Sequence, residues 1–141
     1  MADTVNIQYI YPPNHDGGAN PVPTRKVVVN MTGTCDGTGE TDVIKVRLTD
    51  LMKHGGATPT RTAVEKITYT IFGEIVQLEW DRAAHAPIAR LSPGEATMDF
   101  RTEGGKVDPG ESGDRTGNII LTTVGGDSGD SYDITLTVRL K

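Results

Sequence analysis

Residues 131–141 read Ser131-Tyr132-Asp133-Ile134-Thr135-Leu136-Thr137-Val138-Arg139-Leu140-Lys141, and this stretch decides the fold. Tyr132, Ile134, Leu136, Val138 and Leu140 alternate with Asp133, Thr135, Thr137, Arg139 and Lys141. A period of two sends successive side chains to opposite sides of an extended chain, so this is a strand with one dry and one wet face.

The same text recurs upstream. Ile67, Tyr69 and Ile71 alternate with Lys66, Thr68 and Thr70; Val76, Leu78 and Trp80 with Gln77, Glu79 and Asp81; Ile44, Val46 and Leu48 with Lys45, Arg47 and Thr49. Further strands are expected over 4–11, 26–32, 87–91, 97–101 and 118–124. Phe72-Gly73-Glu74 reads as a hairpin turn, and Val124 to Ser131 as a second hairpin loop, rich in Gly, Asp and Ser. Helix signals are sparse. Thr49 to Lys53 can form one turn, with Thr49 or Asp50 as N-cap and Gly55-Gly56 as terminator. Thr62 and Glu65 have the spacing of a capping box, but the β-formers from Ile67 to Ile71 follow, so the strand wins. The expected class is all-β: a sandwich of jelly-roll or immunoglobulin-like kind, or a barrel. It holds about eight or nine short antiparallel strands and at most one short helical turn.

The chain has 141 residues, enough for one domain, with 17 Gly and 8 Pro that punctuate the strands. Residues 12–23 hold four prolines and two glycines and cannot continue a sheet. The sequence therefore divides into an N-terminal strand or arm with its linker, 1–24, and a β-sandwich domain, 25–141. Strand 4–11 pairs either within the chain or, across that linker, with a neighbouring molecule. On the second reading Val5, Ile7, Tyr9, Tyr11, Pro12 and Pro13 bind the partner. Residues 102–117 form a second Gly-rich, charged loop, with a turn at Asp108-Pro109-Gly110.

Net charge is −5, from 14 Lys and Arg against 19 Asp and Glu. The first 70 residues balance, so the excess lies in the second half. There is no basic footprint for nucleic acid and no polybasic membrane patch. No apolar run reaches signal-peptide or membrane-spanning length, so synthesis in a cytoplasm is expected. A single cysteine, Cys35, rules out an internal disulfide framework.

Candidate chemistry is weak. Gly126-Asp127-Ser128-Gly129 and Ala83-Ala84-His85 imitate segments of serine proteases, but Asp130 stands where that family has a second glycine, and the chain is too short for its two barrels. Asp127, Asp130 and Asp133, or Asp108, Glu111 and Asp114, offer the oxygens a calcium ion wants, without the spacing of a calcium-binding loop. His15, His54 and His85 are dispersed, and Cys35 has no identifiable base beside it. No catalytic set, cofactor or metal is assigned, and the chain is not read as an enzyme. Trp80 and Phe100 are expected in the core, and the scarcity of aromatics leaves little material for a glycan or base platform.

Several segments taken together carry a family likeness. They are Gly33-Thr34-Cys35-Asp36-Gly37, Asp42-Val43-Ile44-Lys45-Val46, Ala63-Val64-Glu65-Lys66-Ile67, Leu78-Glu79-Trp80-Asp81, Leu91-Ser92-Pro93-Gly94-Glu95 and the strand pair from Asn118 to Leu140. From Gly33 to Lys141 the chain resembles small β-rich virion proteins encoded among the head genes of tailed bacteriophages. The resemblance implies a capsid decoration, or cement, protein on the virion exterior. Such a protein binds the major capsid protein lattice and self-associates, for instance as a trimer at local threefold positions. The alternative is a tail- or fibre-associated module that recognises a host surface glycan.

Overall fold

The computed structural model describes residues 4–13, 15, 21–109 and 116–141. Nine strands of four or more residues lie among them: β1 (Thr4–Tyr11), β3 (Lys26–Thr34), β4 (Val43–Val46), β6 (Thr62–Phe72), β7 (Ile75–Trp80), β8 (Ala86–Leu91), β9 (Gly94–Asp99), β11 (Ile119–Val124) and β12 (Ser131–Leu140). Three two-residue strands, β2 (Pro23–Thr24), β5 (Met52–Lys53) and β10 (Lys106–Val107), are too short to show any periodicity in the sequence.

The long strands form a β-sandwich. One sheet runs β1-β3-β12-β6, with β9 and β10 both on the far side of β6; the other runs β4-β11-β7-β8. Every pairing in these two sheets is antiparallel, while β2 and β5 make a small parallel pair of their own. The apolar set of β12 points inward at the centre of the larger sheet, flanked by Val27, Val29 and Met31 of β3 and Ile67 and Ile71 of β6. Val76, Leu78, Trp80, Ile88, Ile119 and Leu121 close over it from the smaller sheet. Each fully buried aliphatic side chain contributes about 1.5–3 kcal/mol, so this shared interior holds the two sheets together.

Two expectations from the sequence are corrected. Phe72-Gly73-Glu74 is not a hairpin turn: β6 and β7 lie in different sheets, and the turn carries the chain across the sandwich. Val124 to Ser131 likewise joins β11 of one sheet to β12 of the other. Both crossings sit together. A β-carbon on Gly73 (φ 82°) would lie 2.1 Å from the Asp130 carboxylate, which also accepts the Asp127 N–H. Only glycine fits there.

Two bulges break the simple alternation. In β6 the register with β12 jumps from Lys66 to Val64, so Val64 and Ile67 both face the core. In β4 the register with β11 jumps from Val46 to Ile44. This buries Lys45, which the alternation had placed on the wet face. Among the described residues the helical content is two single 3₁₀ turns, Leu48–Asp50 and Arg101–Glu103, where at most one was expected. The first begins a residue before Thr49, with Arg47 as its cap and no side chain capping it.

Candidate functional site

Strand β1 is an edge of the larger sheet. It hydrogen-bonds to β3 of its own chain, from Thr4 opposite Thr34 to Tyr11 opposite Val28. On its other side no strand among the described residues pairs with it. Edge strands are usually protected by charge, proline or a cover. From Thr4 to Tyr11 there is no charge and no proline.

Cross-strand register explains the exposed apolar surface. Ile7 and Tyr9 stand beside Met31 and Val29, which face the core, and Val5 stands beside Gly33 on the same side. The cover from the four-stranded sheet is incomplete at this edge, so Val5 and Ile7 remain 44% and 39% exposed. A bulge at Ile10 turns Tyr11 to the outer face, and these two are 53% and 46% exposed.

The expected partner-binding residues thus divide. Val5, Ile7, Tyr11 and Pro13 are accessible, Pro12 is buried, and Tyr9 is half-buried, its ring edge against His15 at 4.4 Å between centroids. Burial, reinforced by the negative charge of Asp50, pushes the Tyr9 hydroxyl up to about 12.

Beside the Tyr11 end lies an open cavity of about 450 Å³, lined by Tyr11, Arg25, Lys26, His54, Glu65 and Arg139 among others. Lys26 and Arg139 are direct cross-strand partners, a like-charge pairing that an incoming anion would relieve. The sequence alone missed this concavity, because its cations come from β3, β12 and the segments flanking β2 and β5.

The other candidates scatter. Asp127 and Asp130 fold onto their own turn, while Asp133 lies on the outer face of β12 and accepts from Asn30 Nδ2 at 2.7 Å. These three do not converge on a common point. Asp108 is buried with Arg82 3.7 Å away, and Glu111 and Asp114 lie outside the described residues, as does Gly110 of the expected turn. Half of the 12–23 linker, Asn14 and Asp16 to Asn20, is outside them too. His85 leads into β8, whose Ala86 pairs with Trp80 beside Ile119, whereas Ser128 follows Val124 at the other end of β11. Their attachment points are separated by about 16 Å of strand, and His85 faces Asp42 instead, at 3.6 Å.

Cys35 and Glu74 are buried together at the sheet crossing, where a β-carbon on Gly126 would meet both. Trp80 is buried as expected, and Phe100 packs against the core while half-buried. At the end of β9, exposed Asp99 is held down to about 2, chiefly by hydrogen bonds from the side chain and backbone of Arg101.

No protein-family model and no curated protein matches the sequence. Among solved structures, a mutant of a family 29 carbohydrate-binding module, made to probe ligand recognition, is similar at 10% identity. The match covers 96% of this chain and 92% of that one, with a TM-score of 0.38. A likeness that distant fixes neither fold nor ligand. The β-sandwich rests on this chain's own strand pairing.

Proposed function

We propose that this chain is a non-enzymatic structural protein of a phage head. In this reading it is a decoration protein that binds the outer surface of the major capsid protein lattice and stabilises it. The observation that carries the reading is β1: an eight-residue edge with no charge, unpaired on one side by any strand among the described residues, bearing Val5 and Ile7 in the open. Such an edge accepts a further strand, whose main-chain hydrogen bonds supply affinity while side-chain pockets supply selectivity. A capsid segment laid along β1 covers Val5 and Ile7. The same edge also serves self-association, and many copies on one lattice multiply weak contacts.

The family likeness of Gly33 to Lys141 supports the assignment to a virion, and the net charge of −5 keeps the surface away from packaged nucleic acid. The direct test mixes purified protein with capsids that lack it and sediments them. Saturable co-sedimentation is expected, together with greater resistance of the capsids to heat. Absence of binding at saturating protein overturns the reading.

One observation favours the second reading, a glycan-binding module. The cavity beside β1 sets exposed Tyr11 among the polar groups of Arg25, His54, Glu65 and Arg139. A sugar ring stacks on one aromatic face and takes hydrogen bonds from such convergent groups. Retardation of the protein in gels containing soluble polysaccharide, lost in Tyr11→Ala, would favour this reading over the first.

A further inference from the structure

Among the described residues, Asp42, Glu79 and His85 form the one group in which three metal-ligating side chains converge, their ligand atoms all within 4.8 Å of one another. They come from three places in the fold. Asp42 immediately precedes β4, Glu79 projects from the outer face of β7, and His85 is the last residue before β8. The sheet order is β4-β11-β7-β8, so Asp42 and His85 belong to opposite edges of the smaller sheet and meet over its outer face.

The geometry is close to that of a bound ion. His85 Nδ1 lies 3.6 Å from Asp42 Oδ1. Metal–ligand bonds of about 2.0–2.2 Å put neighbouring donor atoms roughly 3–3.5 Å apart, so small rotamer changes suffice. Asp42 is already oriented: its backbone N–H donates to Thr122 Oγ1 at 2.9 Å, and the Thr122 hydroxyl donates to Asp42 Oδ1 at 3.2 Å. Charge points the same way. Two carboxylates face one imidazole, so even a protonated His85 leaves a negative charge unmatched. Among the described residues no Lys or Arg forms an ion pair with either carboxylate.

We propose that Asp42, Glu79 and His85 bind one divalent first-row transition ion of the zinc class, with water completing its coordination. One nitrogen and two carboxylate donors suit such an ion. Calcium wants six to eight oxygens, which these side chains do not provide. The bound ion staples the smaller sheet across its outer face, from the edge at β4 to the edge at β8. This site is independent of the capsid reading and stands or falls separately.

The test uses the full chain, freed of metal with a chelator and titrated calorimetrically with Zn²⁺ alone. One saturable site is expected, with His85→Ala and Glu79→Gln each weakening it at least about tenfold, as the loss of a direct ligand must. His54→Ala leaves it unchanged. At Zn²⁺ one hundred times its Kd, the folded-to-unfolded ratio rises about 100-fold, and Ca²⁺ at the same concentration gives no such rise. His85 is exposed and Glu79 half-buried, and matching unfolding midpoints in chelator establish that both variants fold; either one then suffices. The proposal is overturned by absence of saturable binding, by affinity that neither variant changes, or by Ca²⁺ binding as tightly as Zn²⁺.

Discussion

Lys45 Nζ lies 2.6 Å from Glu40 Oε2, and the two side chains are only 1% and 7% exposed. The other Glu40 oxygen accepts from the Tyr132 hydroxyl at 2.5 Å. The β4 bulge turns Lys45 inward, and β12 brings Tyr132 to the same place. An ion pair shut away from water gains little over an apolar pair, but losing one partner strands the other charge. Lys45→Met is therefore expected to cost about 3–5 kcal/mol, and the double variant E40M/K45M to recover most of that. Urea unfolding of the three proteins measures it; a double variant as unstable as the single one refutes the account.

Gly33 is required by the same tyrosine. A β-carbon there would sit 2.4 Å from the Tyr132 ring, which the Glu40 hydrogen bond holds in place. Gly33→Ala is expected to lower stability by about 1–3 kcal/mol through overpacking. A thermal melt unchanged from the parent would show that the ring has room to move.

At the β1 edge, stability and binding should separate. Ile7 is already 39% exposed, so Ile7→Lys is expected to change unfolding free energy by no more than about 0.5 kcal/mol. A charge on that edge opposes strand addition, so capsid co-sedimentation should fall sharply. Retained binding by the folded variant removes β1 from the interface.

Tyr9 gives a pH signature. Its folded value, raised to about 12 from an ordinary 10.0, means that the folded protein holds this proton more tightly than the unfolded chain does. The resulting stabilisation is complete below pH 10 and is lost as pH rises through 12, a difference of about 2–3 kcal/mol. Tyr9→Phe should flatten the fall in stability between pH 10 and 12. Parallel stability curves for parent and variant over that window would contradict the assignment.

Much of the sandwich was legible because burial leaves a period-two trace. Tyr132 to Leu140 proved to be the inward face of β12, Val76 to Trp80 that of β7, and the strand expected at 4–11 is β1 to the residue. Lys45 defeated the alternation, since a bulge shifts the phase without changing residue type. Among candidate sites, the exposed residues of the β1 strand could be named in advance. The cationic cavity and the Asp42–Glu79–His85 group could not, because each assembles residues far apart in the chain.

By itself, then, the sequence determined that this chain is built of strands and which side of most of them is dry. Alternation records burial, and burial is the same whichever strand lies alongside. Only the tertiary structure decided the partners. It sent the turns at Gly73 and at 125–130 across the sandwich instead of back along one sheet. It also left β1 at an open edge and drew Asp42 and His85 together from the two edges of the smaller sheet. Those outcomes depend on hydrogen bonds and packing between residues distant in sequence, which no local pattern encodes.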